Sequence, residues 1–483
     1  MRNKFLHSSI YAVIFLIIFS SCNKLLEVAP PIDSITTEEL FSSNEQADWA
    51  IAAIYSKMIN GDNPTSISTV SDRGFATGLS TILGALSADE LTVPANNSNT
   101  DYHVSINKLT LLNSNKTQEI WNSAYKIIFD ANASMEGIQN SASSLLTDSA
   151  RKQLTGEALA IRSLCYFYLL NFFGDVPLVL SSDFNQTLGL PRSPVAKIYD
   201  QIKNDLIKAG SMLSADFSAG KGERVRINKW FAEALLARIC LYTGAYEQTI
   251  NSATKVIDQT ALFGIETDLT KTFTPNNTET IFQLKPAAEA VALKKATPEG
   301  IKLYNVPPQG TPYSARYEIS ASLATAFEPN DQRKSVWLTP VGTVLIPAKY
   351  KNGPAVQYYN VIRLAELHLI RAEAIMKFTP ANKSNAIKDI NILRRRAGVI
   401  ELDEQLTTEQ VINAIAHERQ VELFLEWGHR WFDLKRTGKA NEVLSAVPYK
   451  QPWWGDYQFL YPVPPAQINL NSNLIQNPEY NSR

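Results

Sequence analysis

The chain has 483 residues, of which 45% are hydrophobic and 19% are charged, so it can bury a sizeable core and is not a wholly disordered protein. It carries 46 Lys and Arg residues against 47 Asp and Glu residues, and this balance argues against a dedicated nucleic-acid binder, which needs a basic face to neutralise phosphates. Three cysteines are too few for a disulfide framework.

Residues 1–21 have the features of a secretory signal peptide. A short basic start precedes the apolar run 10–19, which falls short of the about 20 residues that span a bilayer. Small residues stand directly before Cys22, as in a bacterial lipobox, and predict that Cys22 becomes the lipidated first residue of the mature chain. The alternative is an ordinary signal peptide with an incidental cysteine. No later stretch reaches about 18 uninterrupted apolar residues, so we expect a protein anchored to a membrane rather than spanning it.

The segment 22–35 contains two adjacent prolines and few large apolar residues, and it predicts an extended tether. Beyond it, apolar residues recur with a period near 3.6, which predicts helices. One helix starts at Thr37 and ends before Gly61, a second starts at Thr117, and a third ends before Gly174. Further helices are predicted over 194–213, 228–243, 246–259, 358–377, 384–397 and 408–436.

Three stretches lack this helical period. Residues 61–116 are rich in Ser, Thr, Asn and Gly, residues 262–357 add prolines and short strand-like runs, and residues 445–483 form a Pro- and Asn-rich tail. Loops of this length inside a compact chain are usually functional or disordered. In the first stretch, the embedded aromatic and leucine residues favour an ordered functional region.

Two helix pairs resemble tetratricopeptide repeats. Residues 234–250 match the two-helix pattern in which small residues let neighbouring helices approach, and residues 372–393 give a second, degenerate match. Such a unit cannot bury its apolar face alone and needs stacked neighbours. The sequence therefore predicts a mainly α fold, a superhelix of stacked tetratricopeptide-like helix pairs. We expect residues 36–483 to form a single domain that carries long irregular, loop-rich insertions at about 61–116 and 262–357.

A segment near the C terminus is dense in ionisable residues and invites a metal or acid–base interpretation. It lacks the HExxH pattern of zinc peptidases, and Glu418, Glu422 and Glu426 have the i, i+4 spacing of one helical face. We expect a structural ion-pair network in which Arg419 and Arg430 pair with these carboxylates. The alternative is a functional site.

Other chemically suggestive residues have simple structural interpretations. The arginines 394–396 fall in the last turn of a predicted helix that ends before Gly398, which indicates a solvated helix end rather than a binding patch. Cys165 and Cys240 lie on apolar helix faces and are expected to be buried free thiols, with a disulfide between them as the alternative. We predict no cofactor and no metal, because the chain has no GxSxG, no Gly-rich phosphate loop and no CxxC pattern.

Two of the irregular regions combine aromatic rings with Asn, Asp, Arg or Gln side chains. For each ring, the simple interpretation is packing within its own loop.

Six sequence blocks follow one another along the mature chain. They are LLEVAP after Cys22, a W…Y…I…N spacing from Trp121, YFYLLNFFGDVP at 166–177, YNVIRLAELHLIRAEA at 359–374, ERQVELFLEWGHRWFDLKR at 418–436, and the closing YPVP and NLIQNPEY. In this order they resemble the starch-utilisation-system D-like (SusD/RagB) lipoproteins of Bacteroidetes over nearly the whole mature chain.

The resemblance implies a right-handed tetratricopeptide-like scaffold and an irregular half that holds the ligand, built from the same two irregular regions. Members of the family bind glycans outside the cell without cleaving them and form a lid on a SusC-like TonB-dependent outer-membrane transporter.

The glycan ligand that the resemblance implies directs attention to aromatic and polar residues of the two irregular regions. A flat aromatic ring covers the C–H face of a sugar, and Asn, Asp, Arg or Gln side chains form paired hydrogen bonds with its hydroxyls. The candidate glycan-binding residues are Asn97 and Tyr102 in the first region and Tyr313, Arg316, Tyr317 and Trp337 in the second.

The side of the membrane is less clearly marked in the sequence. Surface members often carry an acidic cluster soon after the lipidated cysteine. Only Lys24 and Glu27 are charged there in this chain, so the outer face is expected and the periplasmic face stays open. A third aromatic cluster either covers the scaffold or faces the transporter: Trp453, Trp454 and Tyr457.

We therefore expect a lipid-anchored protein of the outer membrane that captures an oligosaccharide and passes it to the transporter, without catalysis and without a nucleic-acid partner. One alternative is a lipid-anchored glycoside hydrolase, since a chain with 47 acidic residues contains carboxylate pairs by chance. Another is a tetratricopeptide-like assembly scaffold with no sugar ligand.

Overall fold

The computed structural model describes residues 36–61, 74–94, 100–286, 296–304, 306, 316–351, 353 and 355–480. The predicted signal peptide, Cys22 and the tether lie outside these residues, and so do Asn97 and Tyr313. Within the described ranges, every helix is too short or too polar to cross a membrane.

The predicted mainly α class is confirmed, because helices form most of the described structure and the strands are only two to five residues long. The helices are α1 Thr37–Leu40, α2 Asn44–Asn60, α3 Ser80–Ser87, α4 Thr100–Ser105, α5 Asn115–Asn140, α6 Asp148–Phe173, α7 Phe184–Thr187, α8 Val195–Met212, α9 Lys229–Tyr242, α10 Tyr246–Ile257, α11 Pro298–Leu303, α12 Ala321–Ala326, α13 Gln332–Trp337, α14 Leu364–Phe378, α15 Lys383–Ala397, α16 Thr408–Glu422, α17 His429–Arg436, α18 Ala440–Leu444 and α19 Pro465–Leu470. A π-helical turn, Phe75–Leu79, precedes α3.

The strands of the described residues form four separate antiparallel pairs: β1 with β5, β2 with β3, β4 with β8, and β6 with β7. Each pair joins two segments of the chain and none forms a sheet layer. The strands are β1 Leu91–Thr92, β2 Val176–Pro177, β3 Arg192–Ser193, β4 Thr280–Leu284, β5 Glu318–Ile319, β6 Leu338–Val341, β7 Val344–Pro347 and β8 Tyr359–Arg363.

The long helices pack against one another in chain order. Helix α5 packs on α6, α6 on α8, α8 on α9, α9 on α10, and α10 on α14, which also contacts α15 and α16. This succession is the stacked arrangement that tetratricopeptide-like repeats predict. Small residues permit the close approach, since a Cβ atom on Gly156 of α6 would come within 2.8 Å of the Leu213 side chain at the end of α8.

The predicted helix over 358–377 is wrong in its first part. Residues Tyr359–Arg363 form β8, which pairs with β4, and helix α14 begins only at Leu364. All five residues of β8 are buried. A strand that is buried on both faces does not alternate apolar and polar residues, so its period cannot be read from the sequence.

The predicted helix over 408–436 is interrupted between α16 and α17. Leu425 and Trp427 have positive φ angles of 51° and 50°, which a helix does not allow. Gly428 follows, and a Cβ atom on Gly84 of α3 would lie only 2.5 Å from the Cα atom of Gly428. The interruption therefore lets the backbone of this turn contact the backbone of α3.

In the described part of the region 61–116, the structure forms two α-helices, α3 and α4, that the sequence does not predict. Every residue of α3 is buried, so the helix has no polar face and its sequence shows no 3.6-residue period. The predicted helix from Thr37 is divided into α1 and α2, because Ser43 accepts a hydrogen bond from the backbone N–H of Gln46 and caps α2.

One hydrophobic core includes residues of both the helices and the irregular regions. Tyr359 of β8 stacks on Trp427 with ring centroids 4.9 Å apart, and Trp427 also contacts Tyr168 of α6 and Phe75 of the π-helical turn. The helices and the irregular regions therefore pack together in this core, while the single domain over 36–483 stays a prediction.

Candidate ligand-binding site

The two irregular regions that the sequence analysis assigns to ligand binding meet in the structure. Strand β1 belongs to the first region and β5 to the second, and Leu91 lies opposite Ile319 in their antiparallel pair. Beside the pair, the backbone N–H of Ser320 donates to the carbonyl oxygen of Glu90 at 2.9 Å. These backbone hydrogen bonds hold β1 beside β5 and so bring the two regions together.

Asp101 of α4 is the centre of the polar contacts at this junction. Each of its carboxylate oxygens accepts a hydrogen bond from Lys116 Nζ at 2.6 Å. The Tyr317 hydroxyl donates to Oδ2 at 2.6 Å, and Arg316 Nη2 donates to the same oxygen at 3.1 Å. The Asp101 side chain is fully buried, whereas 54% of the Arg316 side chain is exposed. One carboxylate thus fixes side chains from both regions.

The contacts of Asp101 keep its carboxylate ionised. Burial alone would raise the pKa of this carboxyl group. The charge of Lys116, the hydrogen bonds from Lys116 and Tyr317, and the charge of Arg316 outweigh burial, so the pKa lies below its ordinary value. The ionised carboxylate is therefore a fixed anchor for the two cations.

A cavity of about 300 Å³ lies beside this cluster, which is at the lower end of the range for small-molecule sites. It lies between the π-helical turn, α3, the start of α5, α11 and the residues before β5. Its walls combine apolar side chains with three cationic ones and one phenol. The lining residues are Leu79, Ile82, Lys116, Ile301, Lys302, Arg316 and Tyr317.

Three of the predicted glycan-binding residues lie at or next to this junction. Arg316 and Tyr317 line the cavity, and the guanidinium carbon of Arg316 is 5.4 Å from the centre of the Tyr317 ring. Tyr102 is half-buried and meets the ring of His103 edge-on at 5.7 Å. Tyr317 as a whole is only 3% exposed, so it acts as a wall and a hydroxyl donor and not as an open platform for stacking.

Trp337 lies in the hydrophobic core and not at the cavity. It is 1% exposed, and its indole N–H donates to the carbonyl oxygen of Leu269 at 3.0 Å. Its ring packs edge-on against Phe273, with centroids 5.4 Å apart. Because the ring is enclosed, it offers no face to a sugar. Trp337 is predicted to bind glycan, and its environment instead matches the alternative, in which the ring packs inside the protein.

In the aromatic cluster of Trp453, Trp454 and Tyr457, one ring packs on the scaffold and another is exposed. Trp453 donates from its indole N–H to Asn441 at 2.8 Å. Trp454 is 40% exposed and stacks on Tyr457, with centroids 6.2 Å apart and an angle of 23° between the ring planes. Lys108, from the first irregular region, lies with its Nζ atom 5.2 Å from the centre of the Trp454 ring.

The predicted ion-pair network near the C terminus is confirmed and is fully buried. Glu422 accepts hydrogen bonds from Arg363 at 2.6 Å, from Arg333 at 2.9 Å and from Arg396. Burial would raise the pKa of Glu422, but the charges of the three arginines outweigh it and lower the pKa well below its ordinary value. The network joins β8, α13 and α15 to the end of α16, so its role is structural.

The prediction that Arg419 and Arg430 are the cations of this network is wrong. Arg419 binds Asp433 at 2.7 Å, and Arg430 binds Asp89 at 2.8 Å. The i, i+4 spacing describes neighbours on one helix, whereas the glutamates take their partners from distant elements that tertiary packing brings to them.

The three arginines at the end of α15 are not a solvated helix end. Arg394 and Arg396 are buried, and only Arg395 is exposed. Arg394 forms an ion pair with Glu328 at 2.7 Å. Arg396 forms its ion pairs within the buried network. The predicted end of the helix itself is confirmed, because Gly398 has the left-handed conformation of a C-terminal cap.

Two carboxyl groups with strongly raised pKa values are enclosed in the core. Burial raises the pKa of Glu90 and of Glu299 to about 8, and the two residues are 1% and 3% exposed. A general acid must reach the glycosidic oxygen of a bound sugar, which these side chains do not. Cys165 and Cys240 are buried free thiols, as predicted. No group of three or more metal-binding side chains occurs in the part of the chain that the structure describes.

Asp101, Lys116 and Lys302 are not among the glycan-binding residues predicted from the sequence. Asp101 precedes Tyr102 directly, and this adjacency to a candidate aromatic residue is the one local signal for it. Lys116 and Lys302 carry no such signal, because solvated lysines are common and only the tertiary structure brings them to one cavity.

Sequence comparisons relate the chain to known proteins. A family model described as "Starch-binding associating with outer membrane" matches residues 25–241, and a model of the SusD family matches residues 313–480. SusD-like protein P2 of Formosa agariphila is 26% identical over 77% of this chain and 82% of its own length. The Starch-binding protein SusD of Bacteroides thetaiotaomicron is 34% identical over 25% of this chain and 21% of its own length.

Solved structures share the fold at low sequence identity. A SusD superfamily protein from Bacteroides vulgatus superposes with a TM-score of 0.75 at 20% identity, covering 91% of this chain and 99% of that protein. A laminarin binding SusD-like protein superposes with a TM-score of 0.72 at 22% identity, covering 91% of this chain and all of that protein. The two family models, the relatives and the shared fold together show that the chain belongs to the SusD/RagB family.

Proposed function

We propose that the protein is a non-catalytic glycan-binding lipoprotein of the outer membrane. It captures an oligosaccharide at the junction of the two irregular regions and passes it to a TonB-dependent outer-membrane transporter. The observation that carries the proposal is the cavity beside Asp101, where the two regions meet and where apolar walls lie next to hydrogen-bond donors.

The cavity offers both surfaces that a sugar needs. Leu79, Ile82 and Ile301 are apolar and suit the C–H face of a pyranose ring. Arg316 and Lys116 donate hydrogen bonds to the oxygen atoms that the ring carries. The exposure of Arg316 makes this donor accessible from solvent.

The names of two relatives support the ligand class. One is called a starch-binding protein and another a laminarin binding SusD-like protein, and starch and laminarin are both polysaccharides. Because the chain belongs to the same family, we extend glycan binding to it and assign the contacts to Arg316 and Tyr317 at the cavity and to Tyr102 beside it. Asn97 and Tyr313 stay predictions.

Cys22 is the proposed site of lipid attachment. A flexible tether over 22–35 would have a mean reach of about 5–6 Å × √n, which keeps the folded domain within roughly 20 Å of the bilayer. At that distance a transporter in the same membrane is present at high effective concentration, so weak docking contacts suffice. We place the protein on the outer face of the membrane.

The anchor is tested with Cys22→Ala in the native cell. We expect the variant to leave the membrane fraction and to keep its glycan affinity after purification, while uptake of the glycan is lost. A variant that stays in the membrane fraction would contradict the proposed lipid anchor.

A panel of polysaccharides tests binding against the two alternatives. We expect the purified protein to migrate more slowly in gels that contain its glycan than in gels without it. Incubation of the protein with the glycan for a day should release no reducing ends. Release of oligosaccharide products would favour a glycoside hydrolase. A protein that binds no polysaccharide but co-purifies with a stoichiometric protein partner would favour the assembly scaffold.

A further inference from the structure

Exposed apolar side chains are concentrated on one surface of the protein. They lie on α5, on the loop between β2 and β3, which includes α7, and on α19 with the residues that follow it. Each of them is between 41% and 78% exposed. The apolar patch consists of Phe129, Leu180, Phe184, Leu188, Leu470 and Ile475.

Hydrogen bonds fix the residues after α19 beside the second half of this loop. Asn473 Nδ2 donates to the carbonyl oxygen of Gly189 at 2.7 Å. Asn471 Nδ2 donates to the carbonyl oxygen of Leu190 at 2.9 Å. The apolar side chains of the two segments therefore lie on neighbouring parts of the surface.

The first half of the loop follows one face of α5. Asn132 Nδ2 donates to the carbonyl oxygen of Val179 at 3.2 Å, and Glu136 accepts a hydrogen bond from the Ser181 hydroxyl at 2.8 Å. Phe129 precedes Asn132 by three residues and Glu136 by seven, so the helical period places it on the same face, beside the loop. The six side chains thus belong to one surface, and an exposed apolar surface of this kind marks a docking site.

The two segments that carry most of the patch are nearly without charge. Residues 178–190 and 465–477 contain one charged residue, Asp183, whereas 19% of the whole chain is charged. Protruding apolar side chains on an uncharged surface match the boundary between lipid headgroups and acyl chains, where an apolar face is buried by about 5–10 Å. A rigid protein partner would instead need a pocket for each protruding side chain.

The tether reaches the fold at the same end of α5. The described chain begins at Thr36, and Phe41 packs so closely on α5 that a Cβ atom on Gly137 would lie 2.2 Å from its ring. Gly137 directly follows Glu136, which binds the loop of the patch through Ser181. The start of the fold and the loop of the patch therefore contact successive residues of one helix.

We propose that the apolar patch lies on the surface of the membrane to which Cys22 is attached, with its protruding side chains among the lipid headgroups. The inference rests on the lipid anchor proposed above and adds a second contact with the same bilayer. Because the tether over 22–35 confines the patch to the neighbourhood of the lipid, an affinity too weak to hold the free protein there suffices. The second contact fixes the orientation of the domain, which a flexible tether alone does not.

The test uses the purified Cys22→Ala chain, so that the patch is measured without the acyl chains. Phe184→Trp in this chain adds a fluorescent ring to the patch, and vesicles of brominated phosphatidylcholine at millimolar lipid quench a ring that enters the bilayer. We expect the added fluorescence to be quenched. Ile400→Trp is the matched control, because Ile400 is exposed in the loop between α15 and α16. Its added fluorescence should not change.

Flotation of the same chain with phosphatidylcholine vesicles measures the affinity. Phe184→Ser combined with Leu188→Ser should lower the partition coefficient by about tenfold or more, since two apolar side chains are withdrawn from the lipid. Ile400→Ser should leave the partition coefficient unchanged. All three positions are exposed, so unaltered melting temperatures are expected and establish that the variants are folded.

Three results would overturn the inference. No quenching with Phe184→Trp, together with equal partition of the serine variants, would exclude the membrane contact; the lipid anchor is tested separately, by cell fractionation of Cys22→Ala. A dimer of the Cys22→Ala chain that Phe184→Ser dissociates would assign the patch to a second copy of the chain. Loss of a co-purifying transporter from the anchored Phe184→Ser variant, without quenching by lipid in the test above, would assign it to a protein partner.

Discussion

The hydroxyl of Tyr317 donates a hydrogen bond of 2.6 Å to the buried carboxylate of Asp101, which lies 216 residues away in the sequence. The contact lies close to the β1–β5 pair and joins the same two irregular regions. It also fixes the chain next to Arg316, which binds the same carboxylate. A single phenol–carboxylate contact therefore helps to shape the candidate site.

Removing this hydroxyl should loosen the junction. We expect Tyr317→Phe to lower the free energy of unfolding by about 2 kcal/mol, because it deletes a hydrogen bond to an ionised, buried acceptor. Denaturant titration measures the change. Tyr102→Phe is the matched control, since no hydrogen bond of the Tyr102 hydroxyl is found among the described residues. Equal losses in the two variants would contradict a special role for the contact.

The buried ion-pair network should tolerate the loss of a partner poorly. We expect Glu422→Gln to lower the free energy of unfolding by about 3–5 kcal/mol. The substitution removes from the core a carboxylate that pairs with Arg333, Arg363 and Arg396. Glu401→Gln is the control, because the Glu401–Arg395 pair is exposed and its loss should leave the free energy of unfolding nearly unchanged. Chemical unfolding of both variants compares the two environments. A cost for Glu422→Gln as small as that of the control would contradict this account.

Glu299 should make stability depend on pH. Burial raises the pKa of its carboxyl group from 4.5 to about 8 in the folded chain. Between these values the unfolded chain releases the proton and the folded chain keeps it, so the unfolded state gains stability as pH rises. Through this one group, the free energy of unfolding should fall by about 1.4 kcal/mol per pH unit as the pH rises from near 4.5 to near 8.

Glu299→Gln removes this titration and provides the measurement. The free energy of unfolding of the variant, relative to the unmodified chain, should increase steadily from pH 5 to pH 8. A difference between Glu299→Gln and the unmodified chain that is constant with pH would show that Glu299 is ionised in the folded protein.

Tyr102 tests whether the aromatic surface beside the cavity binds sugar. We expect Tyr102→Ala to weaken glycan binding by about 1–3 kcal/mol, using base–aromatic stacking as a guide, with nearly unchanged helix content. Trp337→Phe is the control: it alters a core ring and should lower the melting temperature without changing the affinity of the folded protein. Calorimetry with the bound glycan gives both affinities. An unchanged affinity of Tyr102→Ala would remove this residue from the site.

Local patterns predicted much of the scaffold. The helix predicted over 246–259 is α10, the one over 194–213 is α8, and the one over 384–397 is α15, each within two residues at either end. These helices have one buried and one solvated face, so their period is visible in the sequence. Helix α3 and strand β8 were missed because burial on every side removes that period.

The sequence by itself determined the mainly α class, the stacked helix pairs and the blocks that identify the family, because these depend on residues close together in the chain. The tertiary structure alone decided that Trp337 is a core residue, that Arg394 and Arg396 are buried in ion pairs, and that Asp101 joins Arg316 and Tyr317 beside one cavity. Such contacts join residues far apart in sequence, and no spacing or period records which distant side chains will meet. Packing of the whole core sets those distances, and with them the chemistry that the cavity can offer a ligand.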